Sequence, residues 1–207
     1  MSQQERFDIF NEQMIKIGVD TRANVHARGL WHQTFHCWVI NNSKTEILLQ
    51  LRQNDKDTYP GLLDISCAGH LLSGETVEDG VRELEEELGI SSSFEELIFC
   101  GMVAQENLIS SELIDREFNH VFLLKSNKAI EDFNFQLEEI SGLFYVSIID
   151  FKKLLYGDID SFWISGIVID EVNQLKRHDK RKLQKHNLTP NSNEYYDLLF
   201  EKIDNLY

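Results

Sequence analysis

Between Gly69 and Ile90 the chain reads GHLLSGETVEDGVRELEEELGI, with carboxylates crowded into its second half. Glu83, Glu86 and Glu87 are spaced i, i+3 and i+4, so on a helix they share one face within a single turn. Three like charges that close repel unless something offsets them. A hard divalent cation, Mg²⁺ or Mn²⁺, is the simplest compensator, because it favours carboxylate oxygens. A surface salt-bridge ladder would place lysines four residues after these glutamates, and the sequence has none there. The chemistry expected of such a centre is metal-assisted work on a small anionic molecule.

The surrounding residues supply the elements that must hold the glutamates. Val77, Val81, Leu84 and Leu88 recur at steps of four, three and four, one apolar stripe of a helix facing a core. Thr76 with Asp79 three residues on suits the helix start, and Gly89 suits its end. Leu62 to Ala68 reads as a short buried strand, so the glutamates sit in a strand–loop–helix setting.

This stretch resembles the Nudix box, G-x5-E-x7-R-E-U-x-E-E-x-G-U, where U is apolar. Gly69 and Glu75 match its first half and Arg82 to Ile90 its second. Six residues, TVEDGV, separate Glu75 from Arg82, one fewer than the family pattern. The resemblance implies an α/β fold, a Nudix-like α/β/α sandwich with a mixed sheet. It also implies hydrolysis of a diphosphate linkage, with Glu83, Glu86 and Glu87 as ligands of Mg²⁺ or Mn²⁺. Gly69, Glu75, Arg82 and Gly89 are then the structural residues of the motif.

Val25 to Phe122 is also similar to type I isopentenyl diphosphate isomerase, of the same fold family. His26, His32, His70, Asp115 and Glu117 match the residues that bind its catalytic metal, with Asp115 standing where the isomerase has Glu. Arg52 and Lys56 fall on its diphosphate-binding positions. The isomerase's proton-donating cysteine falls on Ala68, and Cys67 is one residue earlier, on the opposite face of a strand. Its box carries an arginine where this chain has Glu83. The sequence therefore looks like an isomerase-like branch that keeps the hydrolase machinery. The expected activity is that of a Nudix hydrolase acting on a nucleoside or other small-molecule diphosphate. Isopentenyl diphosphate isomerisation and a catalytically silent nucleotide-sensing module are the alternatives. Glu117 and Glu139 are the candidates for general base.

The 207-residue chain is long enough for one domain with a sizeable core. Its net charge of −15 argues against nucleic acid as a partner. No apolar run reaches membrane-spanning length and MSQQERFDIF is no secretory leader, so a cytoplasmic place is expected, with a homodimer compatible. Cys37, Cys67 and Cys100 form no pairing motif and are expected as buried thiols of a reducing compartment. His36 and His120 are expected as ordinary core or surface residues.

Along the chain, residues 1–30 are expected to hold a hairpin turning at Asn11-Glu12 and a connector over 21–31. Residues 31–156 are expected to form the Nudix domain, with strands over Thr34–Asn41 and Glu46–Arg52 paired as a hairpin. Further strands are expected over Phe94–Ala104, Glu117–Lys125 and Glu138–Val146, then a helix from Ser147 to Leu155. Residues 157–207 are expected as a helical extension, with helices over Trp163–Leu183 and Ser192–Leu206. The basic run Lys176 to Lys182 is expected as a solvated helix face.

Overall fold

The computed structural model describes residues 5–110, 113–170 and 172–206. An N-terminal ribbon pairs β1 (Arg6–Phe10) with β2 (Lys16–Thr21), the hairpin expected there. The expected connector instead contains a helix, α1 (Arg22–Arg28). Thr21 caps its start by accepting from the Asn24 amide, and Gly29 closes it in the left-handed conformation. Two turns of helix were hidden in TRANVHARG because only Val25 is buried, too little for an apolar stripe.

The main sheet contains β3 (His32–Ile40), β4 (Glu46–Arg52), β5 (Leu63–Asp64) and β6 (Cys67–His70). It continues with β7 (Ile98–Ser110), β8 (Leu113–Lys125) and β9 (Ile140–Ser147). Its long path runs β11-β10-β9-β4-β3-β8-β7, where β10 is Ser161–Ile169 and β11 is Lys176–Gln184. The sheet is mixed: β3 and β8 run parallel, and the other pairs are antiparallel. The expected β3–β4 hairpin pairs only at Ile40 and Ile47, after which the two strands diverge. Short β5 and β6 fill that fork, β5 on β4 and β6 on β3. The fork brings the strand entering the box beside both halves of the sheet.

Helix α2 (Arg82–Leu88) covers one face, packing Leu84 and Leu88 against Phe35, Cys37, Cys67 and Phe122. On the other face, α3 (Ile148–Tyr156) and α4 (Asn193–Asp204) cover a core around Trp38, Ile47 and Val121. Helix α4 alone buries Tyr195, Tyr196, Leu199, Phe200 and Ile203, of which the leucine, phenylalanine and isoleucine are each worth roughly 1.5–3 kcal/mol on removal from water. This is the α/β/α sandwich.

The expected helix over Trp163–Leu183 is replaced by the hairpin of β10 and β11. The order Phe-Trp-Ile-Ser-Gly-Ile-Val-Ile suits a strand, and β9 offers an open edge to pair with it. The basic run lies on β11, the outermost strand, where exposed charges discourage further pairing. The expected helix over Ser192–Leu206 forms as α4, capped by Ser192. No helix among the described residues is long and apolar enough to cross a membrane.

Candidate active site

The box helix forms as its stripe and ends dictate. Gly89 ends α2 at φ 61°, and a Cβ there would meet the Asn134 carbonyl at 2.7 Å. The Asp79 carboxylate accepts from the Thr76 amide at 2.7 Å, ahead of a 3₁₀ turn over Asp79–Val81. A 3₁₀ turn rises about 2.0 Å per residue against about 1.5 Å in an α-helix. That turn accounts for how the short Glu75-to-Arg82 spacing still closes. Arg82 donates from Nε to Glu75 Oε1 at 2.9 Å and from Nη2 to Oε2 at 3.1 Å, a bidentate pair. The same Nη2 reaches the His70 carbonyl at 3.2 Å, tying the helix to β6.

Gly69 on β6 lies directly under Glu83: a Cβ at 69 would stand 2.1 Å from the Glu83 carboxyl carbon. Glycine is what lets that carboxylate rest on the strand. Glu83 and Glu87 are buried, and Glu86 is exposed and paired with Arg82 at 3.1 Å. Glu87 Oε2 accepts from the Ala68 amide at 3.1 Å and from Gln50 Nε2 at 3.4 Å. Burial pushes Glu83 up to about 7, with Arg82 opposing and Glu86 adding to the rise. Burial and then the neighbouring Glu83 push Glu87 up to about 8. These crowded, desolvated oxygens fit a hard divalent cation, which would stabilise their charged forms.

A second centre occupies the opposite face of β6. Its residues alternate, so Cys67 and Gly69 face α2, and Ala68 and His70 face the other side. There His26 of α1, His32 of β3, His70 of β6 and Asp115 of β8 gather, with ligand atoms all within 4.8 Å of one another. Asp115 Oδ1 lies 3.5 Å from His26 Nε2 and 3.7 Å from His32 Nε2. Glu117 Oε1 lies 3.6 Å from His70 Nε2 and 3.8 Å from His32 Nε2. His32 Nε2, His70 Nε2 and Asp115 Oδ1 are buried without a hydrogen-bond partner. Such convergent orphan atoms, nitrogen and oxygen together, fit a divalent metal ion.

His32 donates Nδ1–H to the Leu30 carbonyl at 3.0 Å, the tautomer that frees Nε2 for a cation. His70 offers Nδ1 to Arg22 at 3.4 Å, so ligation through Nε2 requires Arg22 to let go. Burial holds His32 down at about 4 and His70 well below its usual range. Burial pushes Glu117 well up, and Asp115 beside it adds to the rise. Burial also raises Asp115, but His26, His32 and Arg22 together hold it below the usual range.

The structure thus brings together the five residues aligned with the isomerase metal set. Arg52 and Lys56 stand apart from both centres in their bonding. Arg52 spends its donors on the Thr58 carbonyl and hydroxyl and on Asp64, anchoring the loop over 53–61. Lys56 pairs with Glu139, which lies close enough to Glu87 to raise it. Of the two base candidates, Glu139 therefore belongs to the box side and Glu117 to the histidine side.

Sequence reasoning missed Phe7 and Tyr59. Phe7 is fully buried and stacks on His70, ring centres 4.7 Å apart, and on His32 at 5.4 Å. The N-terminal ribbon is therefore a cover for the histidine centre, and Phe7's place in a short alternating strand was the only signal. Tyr59 holds φ at 50°, rare for a bulky residue, and its phenol is within reach of the charges of Asp115, Glu117 and Asp64. Burial, then those carboxylates, raise its pKa. Cys37 and Cys67 are buried free thiols, as expected, and Cys100 is half-buried.

The histidine centre gives a binding expectation independent of turnover. Titrating metal-free protein with Mn²⁺ should show a site that His32→Ala weakens by about a hundredfold or more, since outer contacts alone are worth about 10–100-fold. Equal affinity in both proteins would remove the centre from consideration.

Comparisons with known proteins identify the family. The NUDIX domain family model matches residues 30–162. An uncharacterized Nudix hydrolase of Clostridium acetobutylicum is 37% identical over 97% of this chain and 98% of its own length. Nudix hydrolase 3 of Arabidopsis thaliana is 37% identical over 73% of this chain, which spans 20% of that longer protein. Isopentenyl-diphosphate Delta-isomerase 2 of Photorhabdus laumondii is 27% identical over 78% of this chain and 91% of its own. Among solved structures, DR0079 from Deinococcus radiodurans superposes with a TM-score of 0.56 at 22% identity, covering 74% of this chain and 90% of that one, and supports the fold. With the box helix seated against β6 and the family model spanning most of the sheet, the chain belongs to the Nudix family and is a Nudix hydrolase.

Proposed function

We propose that the protein is a Mg²⁺- or Mn²⁺-dependent diphosphatase that cleaves the phosphoanhydride of a small-molecule diphosphate derivative. The observation that carries this reading is the pair Glu83 and Glu87, buried one turn apart on α2 against β6, with Glu86 exposed beside them. Divalent cations bound by these carboxylates, and by the histidine centre, would offset the diphosphate charge and acidify an attacking water. The water oxygen attacks one phosphorus, the bond from that phosphorus to the bridging oxygen breaks, and a carboxylate takes the water's proton. Glu117 and Glu139 are the two carboxylates for that role. Lys56 exchanges Glu139 for phosphate oxygens in this scheme, and Arg52 holds the adjoining loop and the rim charge. Assaying nucleoside diphosphate derivatives and isopentenyl diphosphate with and without Mg²⁺ tests the proposal. Metal-independent turnover, or none on any diphosphate, would defeat it.

The isomerase is the second reading, favoured by the complete set His26, His32, His70, Asp115 and Glu117. Allylic isomerisation needs a proton donor, and Ala68 has none to give. Cys67 points into the core under α2, fully buried, and burial raises its thiol well above the usual range. Bringing it to the other face would require a one-residue slip that turns the strand inside out. Cys67→Ala should therefore leave diphosphatase turnover within a few-fold, and the wild type should not isomerise isopentenyl diphosphate. Isomerisation that Cys67→Ala abolishes would promote the second reading.

A further inference from the structure

The face of β3 that carries His32 continues through Thr34 to His36, because side chains two apart share a face. Each has neighbours at the same level. Glu117 stands beside His32, Asn119 and His70 flank Thr34, and Val121 and Ala68 flank His36. Going along β3 from His32, one therefore meets Thr34 with Asn119 about 7 Å on, at the level of His70, then His36 with Ala68 a similar step beyond.

This strip is polar although it is buried. Thr34 donates its hydroxyl proton to Asn119 Oδ1 at 2.6 Å. Asn119 is fully buried, and its Nδ2 donor has no partner. His36 is set from the far side of the core. Trp38 Nε1–H donates to the Tyr195 hydroxyl at 3.0 Å, and His36 Nδ1 lies 3.0 Å from the same hydroxyl, whose own proton is satisfied when that nitrogen accepts it. A neutral imidazole that accepts at Nδ1 carries its proton on Nε2. Ala68, opposite His36, carries only a methyl group.

We infer that Asn119 and His36 form a specificity subsite whose two N–H donors bind an oxygen acceptor on the carbon skeleton of the diphosphate substrate. This rests on the diphosphatase reading and names its substrate class: a diphosphate ester bearing a hydroxyl, carbonyl or ring oxygen near the linkage. A bare hydrocarbon chain laid on the strip would leave both donors dry and unpaired, at a cost of roughly ten- to a hundredfold per donor. Helix α4 enters the site through Tyr195, which acts on His36 as a positioning residue.

Hydroxybutyl diphosphate and pentyl diphosphate, equal in heavy atoms, differ only in the terminal acceptor. With Mg²⁺ present, wild-type kcat/KM should favour hydroxybutyl diphosphate by roughly ten- to a hundredfold. Asn119→Leu and His36→Phe, each checked for folding by circular dichroism, should move that ratio toward one, with KM carrying the change. A wild-type ratio of one or below, or a ratio unmoved in the folded variants, overturns the subsite; the wild-type ratio needs no variant to fold. Should neither compound be hydrolysed, calorimetry of both on the Mg²⁺-loaded protein separates the two ideas. Tighter binding of hydroxybutyl diphosphate then upholds the subsite while the diphosphatase reading falls. Equal or undetectable binding overturns the subsite as well.

Discussion

Glu87→Gln is expected to lower turnover on the native diphosphate by roughly two to four powers of ten while the fold survives. Gln keeps the size of Glu87 and can still meet the Ala68 amide, so the contact with β6 at 3.1 Å is retained. What is lost is one negative oxygen from a cluster of three. A cation at a phosphoryl centre supplies several kcal/mol of charge stabilisation in the transition state. Losing about 3–5 kcal/mol of it gives the stated range, at about 1.4 kcal/mol per tenfold. Glu86→Gln should act in the same direction. Near-normal turnover by a folded Glu87→Gln protein, measured at saturating Mg²⁺, would refute the box as the metal site.

The same substitution should raise the melting temperature of the metal-free protein, increasingly as pH rises from about 5 to about 8. Burial and Glu83 push the Glu87 carboxyl up to about 8, from an ordinary value of 4.5. The folded state therefore holds that proton more tightly than the unfolded chain does. Its contribution to stability is intact below about pH 4.5 and is lost as pH climbs through about 8. Gln carries no such linkage, so the difference in Tm between variant and wild type should be small at pH 5 and largest near pH 8. His32 and His70, held low by burial, lose stability in the opposite direction, as pH falls, but they are common to both proteins and cancel in the difference. Mg²⁺ at a hundred times its Kd should restore about 2.7 kcal/mol to the wild type near pH 8, about 5–10 °C in Tm. A pH-independent difference, or a wild-type melting curve indifferent to Mg²⁺ at low ionic strength, would contradict a preformed carboxylate cluster.

Local rules were enough for the elements that carry their own signals. The stripe of Val77, Val81, Leu84 and Leu88, the spacing of Glu83, Glu86 and Glu87, and the left-handed Gly89 specify α2 and its acidic face within one short segment. Ser147 and Ser192 cap α3 and α4 where the sequence places them. The histidine set spans residues 26 to 115, and no spacing rule links positions so far apart; only the family likeness united them before the sheet did.

Pairing partners are a tertiary matter, and there the sequence by itself stopped. Trp163 to Leu183, expected as a helix, becomes two strands because β10 pairs with the edge of β9 and β11 with β10. The helix that delivers His26 has a single buried residue and takes its shape from the cap at Thr21 and the sheet it rests on. Thr34, Asn119 and His36 acquire meaning only through the parallel register of β3 and β8, which lays them beside the histidine centre. The sequence by itself determined the chemistry of the acidic helix, because that chemistry is contained within two turns. The second centre, its Phe7 cover and the polar strip beyond it were decided by long-range strand pairing, the one step that local periodicity does not encode.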